Sequence, residues 1–160
     1  MASEVRVQIS GARGMYGASL CGKREVDEDF ISCGDFGAVR VAVLCDGMGG
    51  MERGDETSEI VARGFVKAIG SLAAKNPEKW SVENWRHGAY GKLIERCHAS
   101  VVEMAGSRGV SGTTITALVF FAPEGSIAQV DIVNLGDSRC YKMDEEGTSL
   151  LTHDHSLTGD

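Results

Sequence analysis

The stretch VRVAVLCDGMGG, residues 39 to 50, constrains the fold more tightly than any other part of the chain. Its first seven residues are almost all apolar and rich in valine, which reads as a strand buried within a sheet. Asp46 then closes the strand with a carboxylate, and Gly47, Gly49 and Gly50 follow, where the backbone can bend as few sequences allow. A lone Asp-Gly at a strand end has two readings. It can be a plain turn, or Asp46 and the unhindered carbonyl of Gly47 can offer two hard oxygen ligands to a divalent cation such as Mg²⁺ or Mn²⁺. Phosphate-cradling alternatives fail on spacing. Gly47 and Gly49 would need a third glycine at 52, which is Glu52, and the interval from Gly49 to Gly54 leads into Asp55 and Glu56 where a P-loop requires Lys and Ser or Thr. No EF-hand ladder of alternating acidic residues is present either.

Around this strand the chain reads as one domain, residues 1 to 160, of α+β class. Short stretches rich in β-branched or aromatic residues, bounded by Gly, Asp or Ser, predict strands at 4–10, 29–34, 39–46, 113–121, 128–137, 139–144 and 148–152. The last four are separated by brief turn segments and predict an antiparallel meander. Ile60, Val61, Phe65, Ile69 and Leu72 recur at helical spacing within 54–74. Trp85, Leu93, Ile94, Cys97, Val101 and Met104 form a second stripe within 81–105, with Ser81 as its start. Both helices are amphipathic and are expected to lie on a sheet.

Charge and composition narrow the function classes. A formal net charge of -7 gives no basic face for nucleic acid or an anionic membrane. The opening residues lack a secretory signal pattern, and the longest apolar run, ALVFFA at 117–122, is far short of the ~20 residues that span a bilayer. A soluble, cytoplasmic protein is expected. Its five cysteines, at 21, 33, 45, 97 and 140, are odd in number and without a C-x-x-C, so they are read as reduced and mostly buried thiols.

A second acidic cluster lies in GKREVDEDFISCG, where Arg24 precedes Asp27, Glu28 and Asp29 at the entry of a strand. Alternation would put Asp27 and Asp29 on one face and Glu28 on the other. An inward carboxylate needs a cation or a donor. Arg24 could be that donor, to Asp27 or Asp29; alternatively the carboxylates bind metal and the guanidinium fork of Arg24 stays free for a phosphate.

Arg24-x-x-Asp27-Glu28-Asp29, DGMGG at 46–50, SGTT at 111–114, NLGDSRCY at 134–141 and LTHDHS at 151–156 together resemble, in order and spacing, the successive motifs of the metal-dependent type 2C protein phosphatases. The resemblance covers nearly the whole chain, from Gly22 to Ser156. It implies a serine/threonine phosphatase built as an antiparallel β-sandwich flanked by helices, in α-β-β-α layers, with two Mg²⁺ or Mn²⁺ ions at one edge. By position, Asp46 is then the bridging metal ligand. Gly47 gives its carbonyl and Glu28 its carboxylate to one metal, Asp29 orients water, and Arg24 holds the substrate phosphate. Asp137 matches a residue linked to a third, weaker metal site, against the alternative of a turn aspartate. The mechanism so implied is in-line attack by water shared between two cations. Phosphorylated proteins, the targets of a serine/threonine kinase in signal transduction, are the implied partners.

Two departures stand out. Met48 occupies the place of a histidine proposed as general acid in animal members, and Asp27 stands where Asn is usual. The family pattern also calls for two further aspartates, in Asp-Gly and Asp-Asn motifs downstream of Asp160. The chain is therefore expected to be the N-terminal two-thirds of a catalytic domain, incomplete at its C-terminus; a non-catalytic module binding a phosphoprotein or one metal is the alternative. His153 and His155 are expected to be strand or turn residues and not metal ligands.

Overall fold

A computed structural model of the chain describes residues 14–48, 53–106, 111–123 and 126–155. The expected strand over 4–10 lies outside them. Four antiparallel strands form the main sheet in the order β1 (Asp29–Phe36), β2 (Val39–Asp46), β3 (Ile115–Phe121) and β4 (Gln129–Leu135). Between β2 and β3 the chain makes two long helices, α1 (Gly54–Lys75) and α2 (Glu83–Ala105), joined through a 3₁₀ turn at Pro77–Ser81. A separate hairpin, β5 (Tyr141–Asp144) with β6 (Gly147–Leu150), follows β4. The expected four-strand meander is thus two hairpins, because the turn after Leu135 carries the chain out of the first sheet.

Period-two alternation decides which side of the sheet the helices cover. Val39, Val41, Val43 and Cys45 of β2 and Ile115, Ala117 and Val119 of β3 are buried, and they form one core with Val61, Phe65 and Ile69 of α1. Phe36 and Val39 are ladder partners, so only Gly37 and Ala38 turn the β1–β2 hairpin; Gly37 takes φ 79°, which a side chain would resist. The opposite sheet face carries Ile31, Leu44, Leu118, Phe120, Val130 and Ile132, none of them fully buried. Part of it is crossed by the segment at Gly17, where a Cβ would stand 2.8 Å from Ile31 Cγ2.

Helix α1 begins where the periodicity predicts. Arg53 adopts a left-handed φ of 74°, and Asp55 and Glu56 place negative charge in the first turn, favourable at the positive end of the helix. Helix α2 starts later than expected, since Ser81 ends the 3₁₀ turn and Val82 precedes the helix without any side-chain cap. Its buried face is also more polar than the apolar stripe predicts. Arg86 is buried, with Nε 2.7 Å from Asp131 Oδ2 and Nη1 2.6 Å from the Trp80 carbonyl; Tyr90 donates its hydroxyl to the same Asp131 oxygen at 2.7 Å. Of the five cysteines, all free, only Cys45 is fully buried, which corrects the expectation that most would be; burial pushes its thiol up to about 12.

Candidate metal centre

Antiparallel order brings the start of β1, the end of β2, the start of β3 and the end of β4 to one edge of the sheet. Asp29 and Asp46 are direct ladder partners, which sets their carboxyl groups on the same face of the sheet. Partial burial, then the charges of Asp46 and Asp27, raise the pKa of Asp29 above its ordinary value, with Arg24 pulling the other way. One step further along, Gly47 donates its N–H to the Glu28 carbonyl at 3.0 Å. Glu28, just before β1, and Asp46, at the end of β2, therefore sit at one corner of the sheet.

The two carboxylates leave that corner in different directions. Asp46 shares the open face with Asp29, whereas Glu28 reaches the first turn of α1, where a Cβ on Gly54 would stand 2.7 Å from its Oε1. Gly47 is wedged between them: a Cβ there would lie 2.3 Å from the Gly54 carbonyl oxygen and 2.8 Å from that of Glu28. These neighbours are backbone and cannot swing aside, so the glycine is a packing requirement as well as a bend.

Arg24 lies beside the corner. Its Nη1 is 3.5 Å from Glu28 Oε2, and its side chain is 68% exposed. The partner is Glu28, which corrects the expectation of Asp27 or Asp29. Asp27 instead orders the loop, accepting from Ser19 Oγ at 2.6 Å and from the Asp29 N–H at 3.1 Å. Its expected grouping with Asp29 on a strand face does not arise, because β1 begins at Asp29.

Hydroxyl groups fix the backbone at Asp46. Its N–H donates to Thr114 Oγ1 at 3.0 Å, and its carbonyl accepts from the Thr114 N–H and from Thr113 Oγ1, both at 2.9 Å. Thr114 Oγ1 also meets Ser138 Oγ at 2.8 Å, tying the strand end to the turn that carries Asp137. That turn is held from below: Gly136 N–H donates to His155 Nδ1 at 3.3 Å, and Arg139 grips Asp154 through three contacts of 2.6 to 3.1 Å. His155 thus serves as a hydrogen-bond acceptor for the turn, in a segment that is neither strand nor turn. Thr114 and Ser138 stood within quoted motifs, yet nothing local in the sequence identified them as supports of Asp46.

Chemically, Glu28, Asp46 and the carbonyl of Gly47 are hard oxygen donors, the set that suits Mg²⁺ or Mn²⁺. The opposed Asp29 and Asp46 add a repulsion that a nearby cation would relieve. Among the described residues no group of three His, Cys, Asp or Glu side chains is gathered into a ready-made metal site.

This chain matches no known family model. It is 31% identical over 124 residues to the serine/threonine phosphatase stp of Listeria innocua, an alignment covering 73% of this chain and 44% of that protein. Among solved structures, the serine/threonine phosphatase of S. agalactiae superposes with a TM-score of 0.69 at 26% identity, over 85% of this chain and 53% of that one. The PPM Ser-Thr phosphatase MsPP of Mycobacterium smegmatis, in complex with cacodylate, gives 0.60 at 27% identity, over 84% and 50%. The chain is a relative of the type 2C serine/threonine phosphatases. The α+β class and the antiparallel sheet with its helix pair agree with this type 2C kinship. The chain spans less than half the length of the curated type 2C relatives it matches. Among the described residues, no helix is long and apolar enough to cross a membrane.

Proposed function

We propose that this chain forms part of a metal-dependent protein serine/threonine phosphatase, hydrolysing phosphoserine and phosphothreonine in proteins. The observation that carries this reading is the β1–β2 register, which sets Asp29 opposite Asp46 and Gly47 against Glu28, with Arg24 alongside. Glu28, Asp46 and the Gly47 carbonyl would hold Mg²⁺ or Mn²⁺. Bound there, such a cation supplies Lewis-acid charge and lowers the pKa of water. Asp29, next to Asp46, would orient water by accepting its hydrogens. Arg24 would receive the phosphoryl oxygens, since its fork is largely exposed and makes one long contact with Glu28. Met48 offers no proton, so the departing serine or threonine oxygen takes its proton from water. Asp137, on the turn tied to Thr114, would serve a further and weaker cation site.

A second reading, a module that binds a phosphoprotein or one metal without turnover, is favoured because no three His, Cys, Asp or Glu side chains among the described residues are gathered so as to hold a metal ion. One assay separates the two. The chain is given a chromogenic aryl phosphate with Mn²⁺, with excess chelator, and as the Asp46→Asn variant. Turnover that disappears in both controls supports the phosphatase; Mn²⁺ binding with no turnover in any arm supports the module.

A further inference from the structure

The grooves along the helix pair carry a charge pattern opposite to that of the whole molecule. Between α1 and α2, facing away from the sheet, runs a groove of about 350 Å³ lined by Lys67, Lys75 and Arg96; a second, of about 480 Å³, adjoins it through Leu72, Leu93 and Arg96 and adds Lys92. Neither is lined by a carboxylate. None of these four cations forms an ion pair with another described residue, in a protein whose formal net charge is -7. Small residues keep the groove open. A Cβ on Gly64 would meet nothing within 4 Å, and Ser71 and Ser100 turn their hydroxyls back onto the Lys67 and Arg96 carbonyls of their own helices. Leu72, Leu93 and Trp85 supply an apolar floor.

We propose that this groove docks an acidic, extended segment of a protein partner. Four unpaired cations in a concave cleft focus a positive field, to which carboxylate side chains are complementary. Apolar residues between those carboxylates would cover the leucine and tryptophan floor. That apolar floor favours a peptide with apolar residues over nucleic acid, which gains mostly from phosphate contacts. The groove is distinct from the metal corner. Lys67 lies 13 residues along α1 from Gly54, about 20 Å away at the helical rise, and an extended segment would need at least about six residues to span that distance. The inference goes beyond the phosphatase reading and does not depend on it.

The test is fluorescence anisotropy of a labelled, unphosphorylated peptide of alternating acidic and leucine residues, titrated with the full chain in chelator, so that no metal chemistry contributes. Saturable binding that weakens with added salt is expected, at least tenfold weaker in Lys67→Glu/Lys75→Glu/Arg96→Glu. A control of equal charge change on other exposed lysines, Lys23→Glu/Lys79→Glu/Lys142→Glu, should lose far less. Equal losses in the two variants, or no binding to the wild-type chain, would overturn the proposal. So would binding of phosphatidylserine vesicles or single-stranded DNA in preference to the peptide. Amide chemical shifts of the wild-type chain, recorded with and without peptide, keep the test decisive should the triple variant fail to fold: changes must concentrate at residues 64–75 and 92–100, and changes confined elsewhere contradict it.

Discussion

Position 47 is where backbone packing and chemistry coincide most closely. An alanine there would place a methyl group 2.3 Å from the Gly54 carbonyl oxygen, forcing α1 and the β1 entry apart. Gly47→Ala is expected to cost about 3 kcal/mol, the upper end of ordinary overpacking, measured as a lower urea midpoint, and to weaken Mn²⁺ binding because the Glu28 and Asp46 backbones separate. Thr114 acts on the same corner through hydrogen bonds alone. Thr114→Val keeps the shape but removes the acceptor of the Asp46 N–H and the partner of Ser138. We expect a loss of about 1 to 3 kcal/mol from the unsatisfied donor together with weaker Mn²⁺ binding, and recovery of both in Thr114→Ser. Stability and metal affinity both unchanged in the valine variant would show that the hydroxyl has no positioning role. That Asp46 closes a buried strand and runs into glycines was legible in the sequence, because strand ends and glycines are local signals. Thr114 was not, since its partner lies 68 residues away on another strand.

At the scale of elements, α2 is anchored to the sheet by a polar contact. Burial works against the charge on Asp131, but hydrogen bonds from Tyr90, Gln129 and Arg86 outweigh it and hold its pKa below the ordinary value. The Tyr90 hydroxyl is pushed the opposite way, chiefly by burial and by donating to that carboxylate. A carboxyl with a depressed folded pKa contributes stability above its unfolded pKa, near 3.9, and loses it as pH falls through the folded value. Urea midpoints measured down to acid pH should therefore fall more steeply for the wild-type chain than for Asp131→Asn, which lacks that titration. Arg86→Met is expected to cost about 3 kcal/mol at neutral pH, as expected when one partner of a buried ion pair is removed; a near-neutral result would mean that Asp131 is satisfied by Tyr90 and Gln129 alone. Helix α1 and strand β2 were predicted almost to the residue, because an uninterrupted period reports itself. The start of α2 was missed where Pro77 opens a separate 3₁₀ turn. Its buried Arg86 escaped because a charged residue reads as surface until its partner, 45 positions later, is in place.

For the molecule as a whole, one helix-covered sheet face and one half-exposed apolar face account for the expectation of a layered α+β fold. The expectation of a second packed sheet rested on the resemblance, not on periodicity, since the first predicted strand lies outside the described residues and β5 and β6 form a hairpin of their own. What unites the two ends of the account is the corner where β1 begins and β2 ends. A divalent cation held there by Glu28, Asp46 and the Gly47 carbonyl is detected by titration calorimetry with Mn²⁺ on the chain and on Asp46→Asn. Saturable binding of about one equivalent to the wild-type chain and its loss in the variant are expected. Heat changes that are identical for both proteins, or the absence of binding to the wild-type chain, would contradict that expectation.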